Sequence, residues 1–295
     1  MKSAFVAIIG RPSAGKSTLL NKICGRKISI TAESPQTTRN KIRGVFTDER
    51  GQIVFIDTPG FHLSDKKLNN YLSDAAISSL TDADAVLYVL DLTRLPGEEE
   101  SGLLDILTKA GLQLVPVLNK CDLAQNGQNA KFYEKMLAEA GVIGPYAEVS
   151  AISGEGLENM LDGLFAKLPE GELMYPEEFY TDQDPQFRAA EIIREKALRR
   201  VRQELPHSLY VEIADMEQRE DILWIRAFLV AERDSQKGIL VGKGGQVIKK
   251  IREGSLRELK KIFPGSVRLD LRVKVNKKWR NKDNLLKSMF GRNGN

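Results

Sequence analysis

Apolar positions along the chain follow two periods in turn. Ala4–Ile9 is a continuous apolar run of strand length, and Thr18–Ile23 behind it repeats at helical spacing. Residues 42–46 and 52–56 read as strands joined by the turn Asp48-Glu49-Arg50-Gly51. Then come a helix over 68–80, a buried strand over 85–90, a helix over 99–110 and a strand over 112–118. A helix over 130–140, a short strand over 147–149 and a helix over 157–168 complete this part. Continuous apolar strands separated by helical patterns predict a mostly parallel sheet flanked by helices, an α/β domain over residues 1–168. The polar, Pro-containing stretch 28–39 reads as a loop.

The rhythm changes after Leu168. Residues 169–185 are rich in Pro, Glu, Asp and Tyr without a period and read as a linker. A helix over 188–205 follows, with Ile192, Ile193, Ala197, Leu198 and Val201 on one face, then alternating strands over 209–213 and 223–230. Two helical segments meet at Gly242-Lys243-Gly244-Gly245, the second running toward Phe263, and 267–275 alternates as a last strand. The order α-β-β-α-α-β predicts a separate α+β domain over residues 186–295.

Composition bounds the class. With 295 residues, 42% hydrophobic and 28% charged, the chain has the make-up of a soluble globular protein large enough for two domains. No run approaches the ~18 apolar residues of a membrane span. The first apolar run ends at Gly10 without a small-residue cleavage site, so it reads as a strand rather than a signal peptide. Two cysteines, Cys24 and Cys121, make neither a disulfide framework nor a metal-ligand spacing, and a reducing cytosol is the expected compartment. The net charge of +4 splits into −8 for residues 1–185 and +12 for residues 186–295. A basic second domain is suited to a polyanion, although charge alone also describes a solvated face.

The chemistry sits at particular strand ends. Gly10-Arg11-Pro12-Ser13-Ala14-Gly15-Lys16-Ser17, followed by Thr18, fits the phosphate-loop pattern between a strand and a helix. Its backbone N–H groups and the helix N-terminus would cradle phosphates, Lys16 would reach the β- and γ-phosphates, and the Ser17 hydroxyl would ligate Mg²⁺. Asp57-Thr58-Pro59-Gly60 ends the second of the paired strands: Asp57 can hold Mg²⁺ through water, and Gly60 can offer its N–H to the γ-phosphate. Asn119-Lys120-Cys121-Asp122 follows a later strand. Asp122 can accept from the guanine N1–H and N2 amine, a pairing that adenine lacks, while Cys121 has no part in it and reads as packing. Ser150-Ala151-Ile152 lies where a backbone amide would reach the guanine O6. Taken in order, these segments predict a guanine-nucleotide-binding domain.

Among three G-x-x-G strings, only Gly242–Gly245 lies between helical segments, with Lys243 inside it and Lys249 and Lys250 after it; Gly141–Gly144 and Gly291–Gly294 lack that setting. The second domain resembles a type II KH domain, whose G-x-x-G loop clamps a single-stranded nucleic acid backbone. Gly242, Lys243, Gly244, Gly245, Lys249 and Lys250 are the expected RNA contacts. Trp224 alternates with Leu223 and Ile225 and is expected in the core; Trp279 could stack a base.

The whole chain resembles the Era-type family of bacterial ribosome-assembly GTPases. Gln36-Thr37-Thr38-Arg39, Asp57-Thr58-Pro59-Gly60, Glu191-Ile192-Ile193-Arg194-Glu195-Lys196, Glu204-Leu205-Pro206 and Val273-Lys274-Val275 carry the likeness. The related double-GTPase family has two nucleotide domains and a KH-like module without G-x-x-G. The resemblance implies GTP hydrolysis to GDP with Mg²⁺, binding of the 3′ end of small-subunit ribosomal RNA, and action on the 30S subunit as a monomer. It also implies a cytoplasmic location with some peripheral membrane association. It assigns catalysis to Lys16, Thr38 and Gly60 and metal binding to Ser17, Thr38 and Asp57. Thr38 would be the switch threonine, with Thr37 an open alternative. An RNA-binding adaptor with incidental hydrolysis is a second reading; an ATP-using kinase is disfavoured by Asn119–Asp122. Two departures matter. Ser13 stands where relatives commonly carry the Asn tied to a bound potassium ion, so potassium dependence is not implied. Phe61 stands where Ras-type enzymes carry a water-orienting Gln, and His62 beside it is expected to be solvated.

Overall fold

The computed structural model describes residues 1–32, 37–61, 74, 76–123, 128–201, 208–282 and 284–286, and these fall into two compact units. The first is built around a six-stranded sheet of order β2-β3-β1-β4-β5-β6. β1 (Lys2–Ile9) lies between β3 (Gly51–Asp57) and β4 (Ala85–Asp91), followed outward by β5 (Gln113–Asn119) and β6 (Ala147–Val149). These strands are parallel, and β2 (Ile42–Asp48) runs antiparallel at the edge against β3. Every residue of β3 and β4 is buried, as their unbroken apolar runs require of strands covered on both faces. The helices are α1 (Lys16–Ile23), α2 (Glu98–Lys109), α3 (Gln128–Glu139) and α4 (Leu157–Phe165). Of the helix expected over 68–80, Asp74 and residues 76–78 are helical; residues 68–73 and 75 lie outside the described residues. So do Gln36, His62, Glu204, Leu205, Pro206, His207 and Gly291–Gly294.

Register decides where the motifs meet. Ile8 pairs with Asp57, Asp91 with Asn119, and Asn119 with Val149. The carboxyl ends of β1, β3, β4, β5 and β6 therefore align along one edge of the sheet, the place where open α/β sheets bind ligands.

The stretch expected as a linker is, up to Asp182, part of the first unit. The Ser3 N–H donates to the Pro169 carbonyl at 3.1 Å and the Val45 N–H to the Tyr180 carbonyl at 2.9 Å. The fully buried Gln52 amide accepts from the Met174 and Tyr175 N–H groups and donates to the Tyr175 carbonyl, each at 2.9 Å. The strap covers the exposed edge of β2, which explains its order despite lacking any period.

The second unit has a three-stranded sheet: β7 (Tyr210–Arg219), β8 (Ile222–Ala231) and β9 (Ser266–Val275), with β8 central. β7 and β8 are antiparallel; β8 and β9 are parallel. Its helices are α5 (Pro185–Leu198), α6 (Asp234–Val241) and α7 (Gln246–Ile262). Asp184 caps α5, accepting from the Phe187 N–H at 3.0 Å, and Pro185 opens the helix. Ile192 and Ile193 of α5, Leu259 of α7, and Leu223, Ile225 and Leu269 of the sheet share one core. Both tryptophan expectations are corrected here. A strand's period of two sends Trp224 to the face opposite the buried Leu223 and Ile225, where Arg219 and Arg268 lie 5.4 and 5.1 Å from its ring centroid. Trp279 is completely buried, its Nε1 donating to the Ser208 carbonyl at 2.9 Å and its ring edge-on to Tyr210, so it stacks no base.

Candidate nucleotide site and glycine loop

The phosphate loop connects the central strand to α1, which begins at Lys16 without a side-chain cap, leaving first-turn N–H groups available to an anion. Gly15 has φ of +98°, and a Cβ there would come within 2.3 Å of the Asn119 amide, so only glycine fits. The Lys16 ammonium is buried and donates to the Gly10 and Arg11 carbonyls, both at 2.9 Å. Burial pushes its pKa down to about 8, against the attraction of Asp57. The Arg11 guanidinium turns to α2, pairing with Glu99 at 2.9 Å and Glu100 at 2.8 Å. Gly60 lies against Pro12 with no room for a side chain. Ser13 is exposed with a left-handed φ of 64°.

Asp57 is the focus of the site's polar groups. Its Oδ2 accepts from the Ser17 hydroxyl at 2.7 Å, the Ser29 hydroxyl at 2.8 Å and the Thr38 hydroxyl at 3.4 Å. Ser17 Oγ and Thr38 Oγ1 are 2.7 Å apart. Its other oxygen, Oδ1, is buried with no hydrogen-bond partner among the described residues. Burial raises the Asp57 pKa, opposed by the Ser17 hydrogen bond and the charge of Lys16. An orphaned carboxylate oxygen beside hydroxyls is a hard, all-oxygen donor set, which fits Mg²⁺. Of the two threonines left open, Thr38 faces this cluster, whereas the Thr37 hydroxyl lies 3.4 Å from the Ala32 carbonyl. Arg39 is buried. Phe61 packs into the core with Ala7, Ile9 and Tyr88, its N–H donating to the Gly10 carbonyl at 3.2 Å.

At the base end, the Asn119 amide ties two segments together. Its Nδ2 donates to the Ala14 carbonyl at 2.8 Å, and its Oδ1 accepts from the Ala151 N–H at 3.0 Å. Of the backbone amides of Ser150–Ile152, one of which is expected to meet the guanine O6, that of Ala151 is thus engaged by Asn119. Lys120, with a left-handed φ of 69°, donates to Asp91 at 2.6 Å. Asp122 stands exposed, Cys121 packs at the edge of the core, Ser150 is buried and Ile152 is exposed. Thr58 is turned away from the cleft, its hydroxyl donating to the Ile8 carbonyl at 2.8 Å. Thr18 is half-buried and Pro59 buried. The sequence reading missed Ser29, Asn21 and Asp91. Nothing in their local motifs marks Ser29 or Asn21; Asp91, a lone carboxylate ending a buried strand, was a readable signal.

In the second unit the glycine loop joins α6 to α7. A Cβ on Gly242 would come within 2.4 Å of Val247, while Gly244 and Gly245 have left-handed φ of 59° and 76° in open space. Lys243, Lys249 and Lys250 are exposed on and beyond the loop. Among the described residues no helix is long and apolar enough to cross a membrane.

Comparison with known proteins agrees with this geometry. Residues 5–120 match the model of the 50S ribosome-binding GTPase family, and residues 204–280 match the KH domain model. Over 98% of its length the chain is 51% identical to GTPase Era of Treponema denticola, covering 99% of that protein. It is 46% identical to GTPase Era of Borreliella burgdorferi, covering all of it from 98% of the chain. Two solved structures match over 99% of each chain at 32% identity. One is an Aquifex aeolicus Era variant bound to GDP·AlF4⁻, with a TM-score of 0.93. The other is Era with MgGDPNP and nucleotides 1506–1542 of 16S ribosomal RNA, with a TM-score of 0.94. With a phosphate loop, a guanine-type base motif and a glycine-loop KH fold in one chain matched end to end, this protein belongs to the Era family of GTPases.

Proposed function

We propose that the chain is a magnesium-dependent GTP-hydrolysing switch whose second domain binds the 3′ end of small-subunit ribosomal RNA during 30S assembly. The observation that carries the nucleotide half is the convergence of Ser17 and Thr38 on the buried Asp57, with one carboxylate oxygen left unpartnered among the described residues. Magnesium, when bound there by Ser17 and Thr38 and through Asp57, neutralises charge developing on the β- and γ-phosphate oxygens. Lys16, already desolvated, exchanges its carbonyl hydrogen bonds for phosphate oxygens. Gly60 offers its N–H to the γ-phosphate, Gly10–Thr18 line the phosphates, and Asn119, Lys120, Asp122 and Ser150–Ile152 form the base pocket. Phe61 is held in the core and orients no water, so turnover by the isolated protein is slow.

The RNA half rests on the glycine loop, its lysines, and the +12 charge of residues 186–295. A monomeric state and a cytoplasmic location peripheral to the inner membrane face complete the reading. These last points are supported by family membership alone. The test is GTP turnover with and without purified small subunits, with Lys16→Ala as control. Stimulation of the wild type, absent in the variant, is the expected result. Turnover that neither exceeds the variant's nor responds to subunits would favour an adaptor in which hydrolysis is incidental.

A further inference from the structure

We infer that Ser29 is a further positioning residue of the magnesium site, fixing the Asp57 carboxylate so that one oxygen faces the metal. This rests on the reading of Asp57 as a metal-facing carboxylate. Ser29 is completely buried, and its hydroxyl donates to Asp57 Oδ2 at 2.8 Å. Ser17 and Thr38 meet the same oxygen, and Oδ1 is left without a hydrogen-bond partner among the described residues. A carboxylate can turn about its Cβ–Cγ bond and exchange its two oxygens unless a fixed donor selects one of them. Ser17 and Thr38 are poor candidates for that task, because the same two hydroxyls are the proposed metal ligands.

Ser29 is fixed in its own right. Asn21, on the outer part of α1, accepts from the Ile28 and Ser29 N–H groups at 2.7 and 2.9 Å and donates to the Ser29 carbonyl at 2.8 Å. The flanking Ile28 and Ile30 side chains are buried, so the segment cannot shift without breaking both polar and apolar contacts. One helix therefore supplies the Ser17 ligand at its start and, through Asn21, the anchor of the hydroxyl that orients Asp57. A metal site's outer partners orient its ligands in this manner.

The experiment follows release of fluorescent mant-GDP from the full chain across a magnesium titration and in EDTA. For Ser29→Ala, the magnesium concentration giving half-maximal slowing of release should rise about tenfold, while release in EDTA stays within about twofold of wild type. The melting temperature of the metal- and nucleotide-free protein should fall by only a few degrees, the effect of losing one buried hydrogen bond. An unchanged magnesium requirement, or equally faster release with and without magnesium, would overturn the proposal. Ser17→Ala separates the two levels of the argument. If it too leaves the magnesium requirement unmoved, the metal-site reading itself fails; if it shifts and Ser29→Ala does not, only the role of Ser29 fails. Should Ser29→Ala not fold, Ser29→Cys, a weaker donor of similar size, is expected to give a smaller shift in the same direction. Failure of both to fold would make Ser29 a residue of the fold and overturn the proposal.

Discussion

Lys120 donates to Asp91 at 2.6 Å, joining the residue after β5 to the last residue of β4. Asp91 also accepts from the Thr93 N–H at 2.9 Å and hydroxyl at 2.6 Å. The base motif is thereby braced against its neighbouring strand, and the left-handed backbone of Lys120 is held by an ion pair.

This pair makes a pH-dependent contribution to stability. Burial alone would raise the Asp91 pKa, but Lys120 and Thr93 outweigh it and hold the carboxyl below its ordinary range. A depressed carboxylate stabilises the fold above its unfolded pKa and loses that contribution as pH falls through the lower folded value. Asp91→Asn should cost about 1 kcal/mol near neutrality, Lys120 being partly solvated, and the difference should shrink below about pH 4. Urea denaturation at pH 7 and pH 3 measures it. Equal differences at both pH values would mean that the charge contributes nothing.

Asp122 is exposed at the mouth of the base end, where its carboxylate can accept from the guanine N1–H and N2 amine. Asp122→Asn should weaken GTP by roughly two orders of magnitude or more and favour xanthosine triphosphate, whose C2 oxygen requires a donor. Competition between the two nucleotides reads this directly. An unaltered preference would remove Asp122 from the base site.

The glycine loop allows a clean RNA test, because a side chain at Gly244 meets nothing within 4 Å and Asp tolerates its left-handed φ. Lys243→Asp combined with Gly244→Asp should abolish RNA binding while GTP binding holds. Lys243→Ala alone should lower the salt slope of RNA binding by about 0.7, the share of one phosphate on a single strand. Full RNA affinity in the double variant would make the loop a turn and nothing more.

Ser13 adopts φ of 64°, a region in which Asn is more at ease than Ser. Ser13→Asn should therefore fold at least as well as the wild type. It should also add a potassium stimulation of GTP hydrolysis that the wild type lacks, Ser being the shorter oxygen ligand. Matched potassium and sodium buffers decide this: a strong potassium effect in the wild type would show that Ser13 suffices.

The sequence by itself determined what depends on local chemistry. Loop 10–17 could be read because a backbone that wraps phosphate requires glycines and a lysine at set intervals. The strands could be read because burial on both faces leaves unbroken apolar runs such as Ala85–Leu90. The glycine string at 242–245 stood out only through its helical flanks and lysines. Tertiary structure decided what depends on which face a residue takes or which distant group it meets. Thr37 and Thr38 are chemically alike, and only folding turns the second toward Asp57. Residues 169–182 have no period because their partners are the edge of β2 and the amide of Gln52, not each other. Trp224 and Trp279 exchange their expected surroundings because strand parity places one opposite the core and a long-range hydrogen bond to Ser208 buries the other. Ser29 reaches Asp57 across 28 positions of sequence through an anchor on α1, a relation that no local pattern encodes.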